Sequence, residues 1–312
     1  MAKVLISEVM NPIAAQLLKE AGHEVVQMTS MDPEVLREYI KDCDAVVNRI
    51  LPIDRAMMES NPNLKIISKH GVGLDNYDLP AAKELGIMVT CTPGCNAQSV
   101  AEHSIALMMA SARNLKAVAG GYETIGWDAK KRGDGVELWG KTLGIVGCGD
   151  IGSRVARMLH GGFAMRVLVY DPYISKVPEG CELVGSLDEV LSQSDFISVH
   201  CFLSEETKHL IGEKEFAAMK KGAIFINCAR GPIVDENALV KAVESGHLGA
   251  AAVDVTETEP LPKDHPLFAL PNVIVTPHFA AQSREASYNV ARTAAENVIH
   301  FFSDGKVVGR VV

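Results

Sequence analysis

The sequence predicts an α/β protein made of two Rossmann-like, doubly wound parallel-sheet domains, one inserted into the other, with an interdomain cleft. Three observations lead there. Short apolar runs alternate with stretches of helical spacing along nearly the whole chain, which favours parallel strands joined by helices. A glycine-rich turn at residues 147–152 sits between a strand pattern and a helical pattern, and an acid, Asp171, follows the second strand pattern. The 312 residues exceed one ordinary core, so about two domains are expected.

Taken in order, residues 4–6, 24–27, 45–48, 65–68 and 87–90 read as strands, and residues 13–21, 33–41 and 81–85 as helices. A longer periodic run begins near Gln98, with apolar residues at 100, 101, 105, 106, 108, 109 and 110, and reads as a connecting helix. Residues 120–140 are polar and glycine-rich, contain Trp127 and Trp139, and read as irregular. A second alternation starts at Lys141, with strands at 142–146, 166–170, 195–200, 223–227, 249–254 and 272–276. Residues 284–302 carry a long helical pattern, and the valines near the end suggest a return strand or extended tail. The final helix can cross back to the first sheet. The first domain is therefore predicted to be discontinuous, residues 1–98 with 285–312, and the second to run from 99 to 284.

The glycine turn has the chemistry of a dinucleotide-binding βαβ unit. Gly147 permits the tight turn, Gly149 lets backbone approach a pyrophosphate, and Gly152 lets helix and strand pack closely. The helix then starts at Asp150 and Ile151, with apolar residues at 151, 155, 158 and 159, and its N-terminus offers free N–H groups to phosphates. Asp171 is placed to accept hydrogen bonds from ribose hydroxyls and would repel a ribose phosphate, which favours NAD over NADP.

Composition narrows the classes. A net charge of −9 gives no basic footprint for nucleic acid. No apolar stretch reaches the roughly 18 residues of a membrane span, and the N-terminus lacks the apolar core of a signal peptide. Seven scattered cysteines suit a reducing cytoplasm better than a disulfide framework. Cys91 and Cys95 have no accompanying ligand cluster, so no metal site is expected.

Ligands of open α/β sheets bind outside the carboxyl ends of strands. Three such ends carry chemistry: Asn227-Cys228-Ala229-Arg230-Gly231, the run from Asp254 through Glu257 and Glu259 to Pro260, and Thr276-Pro277-His278. His200 and Cys201 are also expected to bind the cofactor. Arg, Glu and His together suit the reduction of a 2-keto acid. The histidine gives a proton to the carbonyl oxygen as hydride arrives, a carboxylate beside it fixes the ring tautomer, and the planar guanidinium holds and polarises the substrate. From the residues alone, Glu257 and Glu259 are equal candidates. Cys148 and Cys228 raise the question of a site sensitive to oxidation.

The chain resembles the D-isomer-specific 2-hydroxyacid dehydrogenase family and is similar to its phosphoglycerate dehydrogenase branch. The matching strings, in family order, include Lys69-His70-Gly71-Val72-Gly73-Leu74-Asp75-Asn76, Thr92-Pro93-Gly94-Cys95-Asn96-Ala97-Gln98, Gly140-Lys141-Thr142-Leu143-Gly144-Ile145-Val146-Gly147, Ile226-Asn227-Cys228-Ala229-Arg230-Gly231, Ala252-Val253-Asp254-Val255 and Thr276-Pro277-His278. The resemblance implies Glu259, which precedes the proline, as the catalytic carboxylate, with His278 as acid/base and Arg230 as substrate binder. It implies Cys228, Ala229, Arg230, Asp254, His278, Ala280 and Ala281 on the cofactor side, the Val72–Gly73 backbone at the substrate carboxylate, and Arg49, His70 and Asn96 near the substrate tail. It also implies a homodimer with the cofactor domains in contact, through the helix near 98–115 and residues 120–140.

Two departures weigh against a phosphate-bearing substrate: Phe279-Ala280-Ala281 follows His278 where that branch often has a glycine-rich run, and Arg49 lies in Asn48-Arg49-Ile50-Leu51-Pro52 rather than an Arg-Ser run. The chain stops at 312, so a regulatory C-terminal extension is not expected. The leading expectation is an NAD-dependent dehydrogenase of a small D-2-hydroxy acid, with D-3-phosphoglycerate as one candidate. Hydroxypyruvate, glyoxylate or a sulfolactate-type acid is the alternative within the family. An NADH-sensing, corepressor-like binding protein is the alternative from another class.

Overall fold

A computed structural model describes residues 1–312, which form two compact units: Met1–Asn96 with Gln282–Val312, and Ala97–Ala281. The first unit begins β1 (Lys3–Ile6), α1 (Ile13–Glu20), β2 (Glu24–Gln27), α2 (Pro33–Ile40), β3 (Ala45–Asn48), α3 (Arg55–Glu59), β4 (Ile66–Lys69), α4 (Leu79–Glu84) and β5 (Met88–Thr90). β3 and β4 are buried along their whole length, as central strands covered on both faces, down to the polar Asn48, Ser68 and Lys69 at their carboxyl ends. Three helices start on an aspartate whose side chain accepts from a first-turn amide: Asp32 from Glu34, Asp54 from Met57 and Asp78 from Ala81. Each such cap contributes about 1 kcal/mol. The Asp54 cap marks α3, a five-residue turn too short to show as periodicity.

All strands of this sheet pair in parallel, in the order β2-β1-β3-β4-β5. Their carboxyl ends therefore point one way and lead into Glu8, residues 49–51, residues 70–73 and residues 92–96.

The second unit contains α5 (Ala97–Ala112), α6 (Leu115–Ile125), β6 (Thr142–Val146), α7 (Asp150–Phe163), β7 (Arg166–Tyr170), β8 (Cys181–Leu183), α8 (Leu187–Gln193), β9 (Phe196–Val199), α9 (Glu213–Ala218), β10 (Ile224–Asn227), α10 (Glu236–Glu244), β11 (Ala250–Val253), α11 (Pro266–Ala269) and β12 (Val273–Val275). Its seven strands are also parallel, in the order β12-β11-β10-β9-β6-β7-β8. The order reverses at β6, and the glycine turn leaves that strand at the switch point where such sheets bind ligands.

One core cluster packs Val100, Ala101, Leu107 and Met108 of α5 and Val155, Ala156 and Leu159 of α7 against Ile145, Val167 and Ile226. Another, on the opposite face, packs Val190, Phe216, Leu239 and Val243 against Val146, Ile197 and Phe225.

The last helix, α12 (Arg284–Ser303), returns to the first sheet. Its Ala291, Ala294, Ala295 and Val298 bury against Val4, Ile6, Ala45, Val47 and Ile66, which is why the first unit is discontinuous. The C-terminal residues run extended along β5, with a single antiparallel bridge between Thr90 and Arg310. No helix is long and apolar enough to cross a membrane.

Residues 120–140 depart from the irregular reading. α6 continues through Gly120 and Gly121 to Ile125, and a 3-10 helix covers Gly126–Lys131. Two glycines inside a helix cost roughly 1 kcal/mol each by propensity. Packing overrides this at Gly121, which is buried, and where a Cβ would stand 2.9 Å from Arg132 Nε and 3.2 Å from Ala129 Cβ. β8 was also unanticipated: it is a three-residue edge strand, largely exposed and therefore without an apolar signal.

Candidate active site

The three turn glycines have three different environments. Gly147 has φ +88°, and a Cβ there would lie 2.5 Å from the Cys201 amide nitrogen. At Gly152 a Cβ would lie 2.2 Å from the Gly147 carbonyl oxygen, so glycine alone lets α7 start this close to β6. At Gly149, the N-cap of α7, a Cβ would meet nothing within 4 Å. The space over the helix N-terminus is thus open. Asp150 and Ile151 begin α7 beside it.

Asp171, at the end of β7, accepts from the Cys148 amide (2.8 Å) and the Tyr173 amide (3.0 Å), which fixes the carboxylate against the turn. His200 ends β9, with Nε2 2.8 Å from Ser198 Oγ and Nδ1 buried without a partner. Burial pushes that imidazole down to about 4. An open cradle at a helix N-terminus, a fixed acid beyond the next strand and an orphaned ring nitrogen at the neighbouring strand end all fit a dinucleotide. Burial also pushes the thiols of Cys148 and Cys201 up to about 11 and that of Cys228 to about 12. These cysteines remain thiols near neutral pH, which removes the basis for ready oxidation.

Arg230, Glu259 and His278 come from three consecutive strand ends, β10, β11 and β12. Gly231 lets the first two loops touch. A Cβ there would stand 2.0 Å from the Thr256 carbonyl, so the backbone after Arg230 lies directly on the backbone before Glu259. Asn227 stiffens the Arg230 loop, donating to the Arg230 carbonyl (3.0 Å) and accepting from the Ala229 amide (3.0 Å). Arg230 Nη1 donates to the Ala229 carbonyl at 2.7 Å.

Glu259 Oε2 lies 2.8 Å from His278 Nδ1, and Oε1 accepts from the Thr256 amide at 3.3 Å. Partial burial opposes ionisation of Glu259. The His278 hydrogen bond and charge, the Thr256 amide and the Arg230 guanidinium outweigh it and hold the carboxyl below the usual range. Glu257, the equal candidate by sequence, instead accepts from the Glu236 amide at 3.0 Å and lies 3.4 Å from His209.

His278 sits at φ +52°, a left-handed conformation uncommon for a side chain of this size. Asp254 maintains it. The Asp254 carbonyl accepts from the His278 amide (2.7 Å), and its buried carboxylate accepts from the amides of Phe279 (2.7 Å) and Ala280 (2.8 Å) and from Thr276 Oγ1. Asp254 thus anchors the loop that presents the histidine. Ala280 is buried and Ala281 partly so.

In the first unit, Arg49 follows β3 and His70 follows β4, with the His70 amide donating to the Asn48 carbonyl at 2.7 Å. Burial, then the nearby Arg49 charge, push the His70 ring down to about 4. Val72, Gly73 and Asn96 are all half-buried on neighbouring loops of this sheet.

Two residues escaped the sequence reading. His103 of α5 lies 3.3 Å from Thr276 Oγ1 and 3.6 Å from Asp254 Oδ1, with Phe279 against its ring. Nothing in a helix pattern distinguishes it from a surface polar residue. Glu8 is buried at 2% exposure. The signal for it was present: an acid just past an apolar strand, as at Asp171 and Asp254.

Residues 105–280 match the family described as D-isomer specific 2-hydroxyacid dehydrogenase, NAD binding domain. The chain is 43% identical over 302 residues to a D-3-phosphoglycerate dehydrogenase of Methanocaldococcus jannaschii, a match covering 96% of this chain and 57% of that one. The chain thus spans little more than half the length of that relative. It is 42% identical to a glyoxylate reductase of Korarchaeum cryptofilum, over 86% of this chain and 82% of that one. A cofactor (NAD+) bound 3-phosphoglycerate dehydrogenase of Entamoeba histolytica superposes with a TM-score of 0.86 at 31% identity, covering 100% of this chain and 98% of that one. With the glycine cradle at the switch point and this extent of likeness, the chain belongs to the D-isomer-specific 2-hydroxyacid dehydrogenases, and its second unit carries their NAD-binding domain.

Proposed function

We propose that the protein transfers hydride between a nicotinamide cofactor and a small D-2-hydroxy acid or 2-keto acid. The observation that carries this reading is the 2.8 Å contact between Glu259 Oε2 and His278 Nδ1, with Arg230 close enough for its charge to act on the same carboxylate. Bound NADH supplies the hydride. With Nδ1–H directed at Glu259, the other ring nitrogen of His278 holds the proton that passes to the carbonyl oxygen. In the oxidative direction the same nitrogen takes the hydroxyl proton. Arg230 holds the substrate carboxylate with its planar fork and polarises the carbonyl.

For the cofactor we assign Gly147, Gly149, Asp150, Ile151 and Gly152 to the pyrophosphate and Asp171 to the ribose. His200, Cys201, Cys228, Ala229, Arg230, Asp254, His278, Ala280 and Ala281 are assigned to the nicotinamide side. Arg49, His70, Val72, Gly73 and Asn96, with Arg230, are the proposed substrate residues. D-3-phosphoglycerate, hydroxypyruvate and glyoxylate are the candidate acids, in keeping with the relatives' activities. A panel of keto acids with NADH and with NADPH at one pH, ranked by kcat/KM, tests the reading. Keto-acid-dependent loss of NADH absorbance supports it, and cofactor binding without turnover on any acid overturns it.

A homodimer is part of the proposal. Tyr122, Ile125, Trp127 and Trp139 expose 48–74% of their surface within one stretch of the second unit, and such apolar exposure marks association surfaces. Seven unpaired cysteines support a reducing, cytoplasmic setting.

A further inference from the structure

Glu8 is a buried carboxylate that the proposed chemistry does not use. It follows β1, and its oxygens are filled by one neighbouring turn. Oε2 accepts from the Arg49 amide at 2.6 Å, and Oε1 accepts from the amides of Ile50 (2.6 Å) and Leu51 (2.7 Å). Ser7 Oγ donates to Oε2 at 2.8 Å. A carboxylate this buried is costly unless fully hydrogen-bonded, and here three amides and a hydroxyl compensate it.

The carbonyls of the same turn are held too. Lys69 Nζ, on a side chain buried to 7% exposure, donates to the Arg49 carbonyl. Asn76 Nδ2 donates to the carbonyls of Ile50 (3.2 Å) and Leu51 (2.9 Å), and Asn76 Oδ1 accepts from Lys69 Nζ at 2.8 Å.

Every backbone group of residues 49–51 is therefore engaged by a side chain of the protein. Three successive amides converging on one anion form a nest that elsewhere binds a ligand's anion. Here Glu8 occupies it. The turn offers a ligand only its side chains, and the Arg49 guanidinium is the one among them that carries charge.

We propose that Glu8 is a positioning residue: it fixes the turn that aims Arg49, so that the part of the substrate beyond its keto carbon is recognised by that guanidinium and not by turn amides. This rests on the dehydrogenase reading and deepens it. Glu8 acts on affinity for substrate tails and leaves the hydride and proton steps to the second unit.

Glyoxylate has no carbon beyond its carbonyl, whereas hydroxypyruvate carries a hydroxymethyl group. The pair therefore separates tail recognition from general damage. In Glu8→Ala, the ratio of kcat/KM for hydroxypyruvate to that for glyoxylate is expected to fall at least tenfold, with the loss in KM. Glu8→Gln keeps one acceptor oxygen and should fall between wild type and Glu8→Ala, which also covers a failure of the alanine variant to fold. In an Arg49→Ala background, removing Glu8 should change the ratio no further. Parallel losses on both acids, a fall in kcat alone, or an undiminished Glu8 effect without Arg49 overturns the proposal and leaves the dehydrogenase reading intact. A wild-type protein that binds NADH but turns over no acid of the panel overturns that reading instead.

Discussion

At the scale of single residues, chemistry is assigned by what each side chain touches. Glu259 meets His278 through one hydrogen bond, so Glu259→Gln should leave the ring in place but remove the charge that supports it. kcat for keto-acid reduction should fall at least tenfold with KM little changed, as steady-state kinetics would show. His278→Ala should fall further, by 10² or more, within the range for a general acid, while NADH fluorescence titration still shows binding. Gly149 gives the complementary prediction. Its φ of −74° suits any residue and its Cβ would meet open space. Gly149→Ala should therefore fold with an unchanged melting temperature, yet bind NADH at least tenfold more weakly because the methyl occupies the cradle. Gly152→Ala should instead fail by misfolding, since its Cβ has no room beside the Gly147 carbonyl.

At the scale of elements, the ends of three parallel strands carry the proposed site, and one buried acid holds the most strained of them. Asp254 neutralises two loop amides and a hydroxyl. Asp254→Ala leaves buried donors unpaired, each worth about 1–3 kcal/mol. Its melting temperature should drop, and the amides of residues 278–280 should lose hydrogen-exchange protection ahead of the rest of the second unit. Protection that persists there would show that Asp254 does not hold the loop. Glu8 serves the turn of residues 49–51 in the first unit in a like way.

At the scale of the whole molecule, two buried imidazoles couple stability to pH. His70 and His200 are each pushed from 6.5 to about 4. Between those values the unfolded chain binds protons that the folded chain refuses. Stability should therefore be full above pH 6.5, fall as pH drops toward 4, and level off below. Each ring contributes roughly 3 kcal/mol to that loss. Denaturant unfolding between pH 7 and 4.5 measures it, and His200→Asn should flatten the curve. Association belongs to the same scale: if the exposed tryptophans form a contact, Trp127→Asp should halve the mass seen by light scattering.

Much of this was legible in the sequence because it is local. Alternating apolar runs specify strands and helices, Gly147 and Gly152 carry backbone demands that only glycine meets, and strand-end polar residues mark the proposed site. Residue pattern alone left some choices between residues of identical type open. Family resemblance pointed to Glu259, and the structure supplies the physical reason: Glu259 meets His278, while Glu257 turns to the Glu236 amide and His209, contacts that no local pattern encodes. Glu8 shows in the sequence only as an acid just past an apolar strand; its partners are set when β1 and β3 pair in parallel and place it beneath three amides 41 to 43 residues away. Periodicity reports which way a side chain faces; its partner across the sheet is fixed only when the strands assemble.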